Sequence, residues 1–423
     1  MNYTDFFETL QSLISIESVL DTPTEDAPFG KENKRALEFF LNKAKEFGFE
    51  TINYDNYGGE LFYGEGEEVG IVGHLDIVPL GQGWKTDPLK VTEVDGVLYG
   101  RGVEDDKAPC LLCLYALKEL KDEGVKFNRK IRFIVGCNEE SGWKDIEYIK
   151  TKTKFPKYGF SPDSNFPVCY AEKGVYHLNV TLPEFKNFKN LTGGTAFNAV
   201  CAYATVEATE KGIDNALLEK YGLKLNGNLI ESFGVSAHGS HPEMGKNAFY
   251  PLLKYIEEMG EELYNLPDLI FNDGVNLAPF VNEQGKTTLS PNIVKKVGDK
   301  LVLTCDLRLP APFCIEQLKE NLAKIKQEYV VIEKHEPFMA DKDGWLVKAL
   351  LDSYNEVTKE NAKPIYLCGS TFARCFEVGC GFGFGDDDRG YTKGCHTSHE
   401  GVTVEHLKKS YEIYKKAIYN LVK

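Results

Sequence analysis

Positive charge is scarce in this chain: across 423 residues, 49 lysines and arginines stand against 64 aspartates and glutamates, a formal net charge of -15. That balance argues against a phosphate-backbone partner, which needs a basic surface, so no nucleic acid is expected. Long apolar runs are also lacking. No stretch approaches the roughly 20 apolar residues of a membrane helix, and no membrane partner is expected. The segment Met1-Asn2-Tyr3-Thr4-Asp5-Phe6-Phe7 has neither a basic start nor a sustained apolar core, so it does not read as a secretory signal. Cysteine spacing shows no framework. Eleven cysteines in an acidic chain without an export signal read as reduced thiols of a cytoplasmic protein. Cys110 and Cys113 match C-x-x-C, but they lie in a helical apolar run and read as small buried hydrophobes.

What is present is enough apolar material, 42% of residues, for packed cores, and a length that favours two domains. Helical periodicity runs over residues 4 to 19 and 31 to 47. Val69 to Gly73 reads as a buried strand ending at His74 and Asp76, and Val94-Asp95-Gly96-Val97 as a hairpin turn. A helix follows from Pro109, with proline in its first turn. Lys130 to Gly136 is the clearest strand, and it runs into Glu139-Glu140; Tyr158 to Ser161 leads to Asp163. From about residue 176 to 334 the texture changes to alternating strands with helices between them. The chain then returns through a helix from Trp345 to Glu356, a short strand at Ile365 to Cys368, a glycine-bearing turn before a further helix, and a last helix from Val404 to Val422. This order predicts an α/β domain, a mixed sheet flanked by helices built from residues 1–175 and 335–423, with an α+β domain of residues 176–334 inserted into it.

Five short segments carry the candidate chemistry: Gly73-His74-Leu75-Asp76, Gly100 to Lys107 around Asp105, Asn138-Glu139-Glu140-Ser141-Gly142, Ser161-Pro162-Asp163, and Cys395-His396-Thr397-Ser398-His399-Glu400. Each follows or adjoins a strand, so each can place a polar residue at the carboxyl edge of a sheet, where open α/β folds bind ligands. Imidazoles and carboxylates in this number, with one carboxylate shared, make a ligand set for two zinc ions. Each signal is weak alone. Asp105 and Asp106 would serve as helix-capping acids, Glu139 and Glu140 as solvated loop acids, and His74 as a hydrogen-bonded histidine at a strand end. His399 competes with His396, and His241 with His238.

Taken in order, His-x-Asp, Gly-Arg-Gly-x-x-Asp-Asp-Lys, Glu-Glu-Ser-Gly, Ser-Pro-Asp and a late Cys-His resemble the zinc metallopeptidases that include aminoacylase, carboxypeptidase G and the carnosinases, and among them the PepV-type dipeptidases. The resemblance covers nearly the whole chain. It implies two Zn2+ ions, replaceable by Mn2+ or Co2+. Asp105 would bridge them, His74 and Asp163 would hold one, and Glu140 and His396 the other. Asp76 would orient His74. Glu139 would act as general base on a zinc-activated hydroxide and then as acid. The inserted domain would be a lid whose His238 stabilises the oxyanion. Asn198, Arg308, Gly369, Ser370, Arg374 and Glu400 would bind substrate, with a supporting role as the second possibility for Glu400. The start of the helix after Gly369 would favour an anion, and the Asp105-Asp106 peptide would be cis. Aspartate at position 163 goes with dipeptidase and aminoacylase types. The implied activity is hydrolysis of unblocked dipeptides by a monomer. The alternatives are an N-acyl-amino-acid deacylase using the same centre and a catalytically silent binding protein. Ala108 and the Gly369-Ser370-Thr371-Phe372-Ala373-Arg374 variant depart from the usual pattern. Gly383 to Gly394 has no family role and is expected to form a surface loop.

Overall fold

The computed structural model describes every residue except 278–280, 283–284, 313–314 and 387–388. The chain divides into two compact units: Met1–Ala171 with Met339–Leu367 and Thr371–Lys423, and Glu172–Phe338 with Cys368–Ser370.

At the centre of the first unit lie four parallel strands, in the order Lys130–Gly136, Glu68–His74, Tyr158–Ser161 and Val378–Gly381. Strands covered on both faces have no solvent side, which is why the strand ending at His74 carries the unbroken run Val69-Gly70-Ile71-Val72-Gly73. Alternation sends Ile71, Phe133 and Val135 into one core with Phe40, Leu111 and Ile418. Val72 and Ile134 enter a smaller core with Ile146, Ile149 and Phe376. The larger core is closed by the helices Tyr3–Ile14, Lys31–Glu46, Lys107–Asp122 and Val404–Val422. The smaller is closed by the helix Lys144–Lys152 and the 3-10 turn Phe372–Cys375. Antiparallel strands flank the parallel centre, Gly58–Tyr63 on one side and Cys169–Glu172 on the other, so the sheet is mixed.

The first helix ends at Ile14, short of the expected residue 19. Ser18 turns inward instead and donates its hydroxyl to the Leu75 carbonyl at 2.6 Å, while Ile77 N–H donates to the Ser18 carbonyl at 3.0 Å. The segment after the helix therefore braces the turn that carries His74 and Asp76. A separate three-stranded sheet joins Thr92–Val94, Val97–Tyr99 and Gly401–Thr403. Its hairpin turns at Asp95 and Gly96, both with positive φ (51° and 77°), as a type I′ turn requires. The register Gly401 to Tyr99 and Val402 to Leu98 brings residues near 400 against those near 100. No described helix is long and apolar enough to cross a membrane.

The second unit is an antiparallel eight-stranded sheet, ordered Lys224–Asn226, Leu229–Phe233, Tyr203–Ala208, Phe188–Gly193, Thr288–Val297, Lys300–Leu309, Gly174–Leu182 and Tyr329–His335. Its core joins Leu178, Val206, Ile230 and Leu303 of the strands to Phe249, Leu252 and Ile256 of the helix Phe249–Glu258.

Two expectations are corrected. The helix after Gly369 is only the single 3-10 turn Phe372–Cys375, where Thr371 Oγ1 accepts the Ala373 N–H at 3.2 Å, so there is no extended helix dipole to offer an anion. The segment from Gly383 is not a surface loop at its start. Phe384 is buried, Phe384–Gly385 pairs in parallel with Ser164–Asn165, and Tyr391 stacks on His406 with ring centroids 5.2 Å apart.

Candidate metal centre

The site forms where the parallel strands of the first unit end. His74 is the last residue of its strand, Glu139 and Glu140 form a 3-10 turn three residues beyond Gly136, and Asp163 lies two residues beyond Ser161. Two glycines at neighbouring strand ends make room for buried acids. A Cβ at Gly73 would meet Asp106 Oδ2 at 2.4 Å, and one at Gly136 would meet Asp145 Oδ2 at 2.2 Å. Through these gaps Asp106 accepts the His74 N–H at 3.2 Å, and Asp145 accepts those of Cys137 and Asn138 at 2.7 and 2.8 Å. Asp106 occupies the helix-capping position without capping the helix, because its carboxylate is committed to His74. Burial pushes both Asp106 and Asp145 up to about 7.

Asp105 is presented by the loop Gly100–Glu104, which Glu400 holds from below. Glu400 Oε1 accepts the N–H groups of Gly102, Glu104 and Asp105 at 2.8, 3.0 and 3.3 Å, and Oε2 accepts from Arg101 at 2.5 Å. Arg101 in turn lies over the Trp84 ring at 5.1 Å. Glu400 is 0% exposed, so the substrate contact considered for it is corrected: it is a buried support of the Asp105 loop. Lys107, also fully buried, donates to the Leu13 and Ile16 carbonyls at 3.2 and 2.6 Å and ties the next helix to the first. The Asp105-Asp106 peptide is cis, as the resemblance implies.

The two oxygens of Asp105 face different imidazoles. Oδ1 is 2.9 Å from His74 Nε2, and Oδ2 is 3.0 Å from His396 Nε2. Asp163 Oδ2 lies 3.7 Å from the same His74 nitrogen, and Glu140 Oε1 lies 3.0 Å from the same His396 nitrogen. Donor atoms of His74, Asp105 and Glu140 lie within 4.8 Å of one another, as do those of His74, Glu139 and Asp163. His399 is exposed and bonded to Ser398, apart from these groups. Asp76 works differently from the simple orienting role. His74 Nδ1 bonds its main-chain oxygen at 3.0 Å, with Oδ1 farther away at 3.4 Å, while its carboxylate accepts the N–H groups of Glu139 and Glu140, both at 3.1 Å. One residue therefore aligns the imidazole and both glutamates.

Charge in this cluster is unbalanced. Burial works against ionised Asp105, but His396 and His74 outweigh it and hold its carboxyl well below the usual carboxylate range. Burial first, then neighbouring carboxylates, raises Glu139, Glu140 and Asp163 above theirs. Burial opposes protonation of both histidines, yet the acids raise them, His396 to about 12. Four acids converge on two imidazoles, all of them oxygen or nitrogen donors at bridging spacing. A pair of divalent cations fits that donor set and supplies the missing charge.

The remaining candidates divide between the units. Arg374 stands, half-buried, on the Phe372–Cys375 turn, whose Phe372 ring packs edge-on to His74 with centroids 6.3 Å apart. In the second unit, His238 Nδ1 accepts the Ser240 N–H at 3.2 Å, which puts the proton of the neutral ring on Nε2. His241 is exposed, 3.5 Å from Glu243. Asn198 is exposed, and its main-chain oxygen accepts the Gly239 N–H at 2.6 Å. Arg308 does not present an open fork: Nε and Nη2 bind Asp306 at 2.8 and 3.0 Å, and Nη1 reaches the Cys368 carbonyl at 3.3 Å. Gly369 and Ser370 also cluster with this unit. Arg101, Asp106, Lys107 and Asp145 are supports that the sequence does not mark as such; their charged side chains inside or close to the motifs are the one signal it holds, and their burial is visible only in the structure.

A strand-edge cluster of two imidazoles and four carboxylates around one doubly facing aspartate defines a candidate metallohydrolase centre. The family model described as Peptidase family M20/M25/M40 matches residues 70–420. The Beta-Ala-Xaa dipeptidase of Lactobacillus delbrueckii subsp. lactis is 31% identical to the chain, over 98% of this chain and 95% of its own. Human carnosine dipeptidase 1 shares the fold at a TM-score of 0.60 and 17% identity, covering 99% of this chain and 97% of its own. So does the Bacillus subtilis YXEP protein, described as a dinuclear metal-binding peptidase from the M20 family, at a TM-score of 0.54, 10% identity and 99% coverage of both chains. The chain belongs to peptidase family M20/M25/M40 and is a metallopeptidase.

Proposed function

We propose that this enzyme hydrolyses the peptide bond of unblocked dipeptides with two zinc ions, held by His74, Asp105 and Asp163 and by Asp105, Glu140 and His396. The observation that carries the reading is Asp105, with one oxygen 2.9 Å from His74 and the other 3.0 Å from His396. When bound, such ions polarise the scissile carbonyl and make water acidic enough to attack at neutral pH. Glu139, grouped with His74 and Asp163, takes the proton of the attacking water on its carboxylate and delivers it to the leaving amine. Asp76 keeps His74, Glu139 and Glu140 in register. Residues 176–334 form the lid. His238 gives the oxyanion a donor from Nε2, and Asn198, Gly369, Ser370 and Arg374 contact substrate; these roles rest on the family resemblance, and Arg308, its guanidinium held by Asp306 and the Cys368 carbonyl, is left out of them. Membership of a family that includes a relative named for dipeptide cleavage supports the substrate class. The described cysteines, none of them in a disulfide, support a cytoplasmic protein. A monomer follows from the long lid and is checked by light scattering.

The test compares zinc-loaded enzyme on a small dipeptide library and on N-acetyl-amino acids. Dipeptide turnover that falls by about 10²–10⁴-fold in Glu139→Gln, at unchanged metal content, is expected. Turnover confined to acylated amino acids would make the chain a deacylase, and turnover of neither would make it a binding protein.

A further inference from the structure

The residue before His396 adds a donor that the ligand set above does not use. Cys395 Sγ, a His396 ring nitrogen and an Asp105 carboxylate oxygen all lie within 4.8 Å of one another. The same imidazole has Asp105 Oδ2 and Glu140 Oε1 at 3.0 Å. Cys395 is also the one exposed residue among the described cysteines. Nine others are buried or half-buried, several in the helix Lys107–Asp122 and the strands, with no part in the cluster. A sulfur beside two such donors has a chemical consequence that a buried thiol lacks. It is a soft ligand at a centre otherwise made of nitrogen and oxygen.

We infer that Cys395 is a fourth protein donor at the His396–Glu140 position, and that it sets the metal preference and the asymmetry of the centre. The inference rests on the metal-centre reading above. On ligation the S–H bond breaks, its electron pair goes to the cation and its proton to solvent. Thiolate favours zinc or cobalt over manganese, which is served better by oxygen. Four protein donors of nitrogen, oxygen and sulfur type close a tetrahedral position, whereas the three from His74, Asp105 and Asp163 leave one open, as catalytic positions do. Glu139 groups with His74 and Asp163 rather than with Cys395, so the proton-transferring carboxylate stands on the open side. Substrate carbonyl and attacking water therefore belong to the His74–Asp163 side, and the Cys395 side serves chiefly to anchor.

The test uses full-length protein loaded with Co2+, read by absorption and by metal content. The expected result is ligand-field bands together with a near-ultraviolet thiolate-to-cobalt charge-transfer band in the wild type. In Cys395→Ser and Cys395→Ala the charge-transfer band is lost while the ligand-field bands remain. In the wild type, alkylation of Cys395 by iodoacetamide, followed by mass spectrometry, slows when Co2+ or Zn2+ is added. Ligand-field bands without a charge-transfer band, a charge-transfer band that survives in both variants, or an alkylation rate that ignores metal would each overturn this inference and leave the metal centre intact. A wild-type protein that retains no cobalt would overturn the metal-centre reading and this inference with it.

Discussion

Asp76 shows how much a single side chain settles at this centre. Its main-chain oxygen aligns one imidazole, and its two carboxylate oxygens hold the main chain of two successive glutamates. Asp76→Asn keeps the shape but leaves one of those N–H groups facing an amide donor. Metal affinity is expected to fall about 10–100-fold, the usual effect of disturbing a group that positions ligands. Isothermal titration with Zn2+ measures it, and an unchanged circular dichroism spectrum separates the effect from unfolding. Glu400 makes a related point: its motif position was legible, but its use was not. Its partner Arg101 lies 299 positions away in the chain, and only burial distinguishes a carboxylate that holds a loop from one that meets a substrate.

At the scale of elements, the strand ends are the precise part. Gly73→Ala would set a methyl group 2.4 Å from both Asp106 Oδ2 and Cys110 Sγ. The helix carrying those atoms is buried and cannot yield cheaply. A loss of about 1–3 kcal/mol is expected, as for other overpacked cores, together with weaker metal binding because the Asp106 contact to His74 N–H is disturbed; urea unfolding and metal titration read the two effects. The last helix offers a test of the segment after Gly383. His406 Nε2 donates to the Phe384 carbonyl at 2.7 Å, and burial lowers the pKa of the ring below its ordinary value. Its neutral form is favoured in the native state, whereas the unfolded chain takes up a proton near pH 6.5. Its share of stability is therefore present above pH 6.5 and lost as pH falls through and below that value. Urea midpoints measured from pH 7.5 to 5.5 should fall more steeply for the wild type than for His406→Gln, which has no ionising ring.

At the scale of the whole molecule, the acids of the centre are an internal source of repulsion that cations remove. Zinc that binds only the folded chain stabilises it by mass action, about 2.7 kcal/mol at a hundredfold excess over Kd. A rise in Tm on adding Zn2+ to chelator-treated protein is expected, largely abolished in Asp105→Ala, and scanning calorimetry checks it.

Local pattern alone revealed three of the four parallel core strands, Val378–Gly381 being the one it missed, together with the Asp95-Gly96 hairpin and the ordered motifs at strand ends. Apolar period, turn chemistry and carboxylates set beside imidazoles are written in neighbouring residues. The family could be named from that order, since five motifs in sequence are far more specific than any one of them. Tertiary structure alone decided what each motif residue touches. Asp105 turns one oxygen to each histidine, Asp306 occupies the fork of Arg308, Glu400 lies beneath the Asp105 loop, and the expected helix after Gly369 shrinks to one 3-10 turn. These depend on contacts between residues far apart in the chain and on burial, which together decide whether a charge is paired, solvated or left to hold a metal. A linear pattern carries neither.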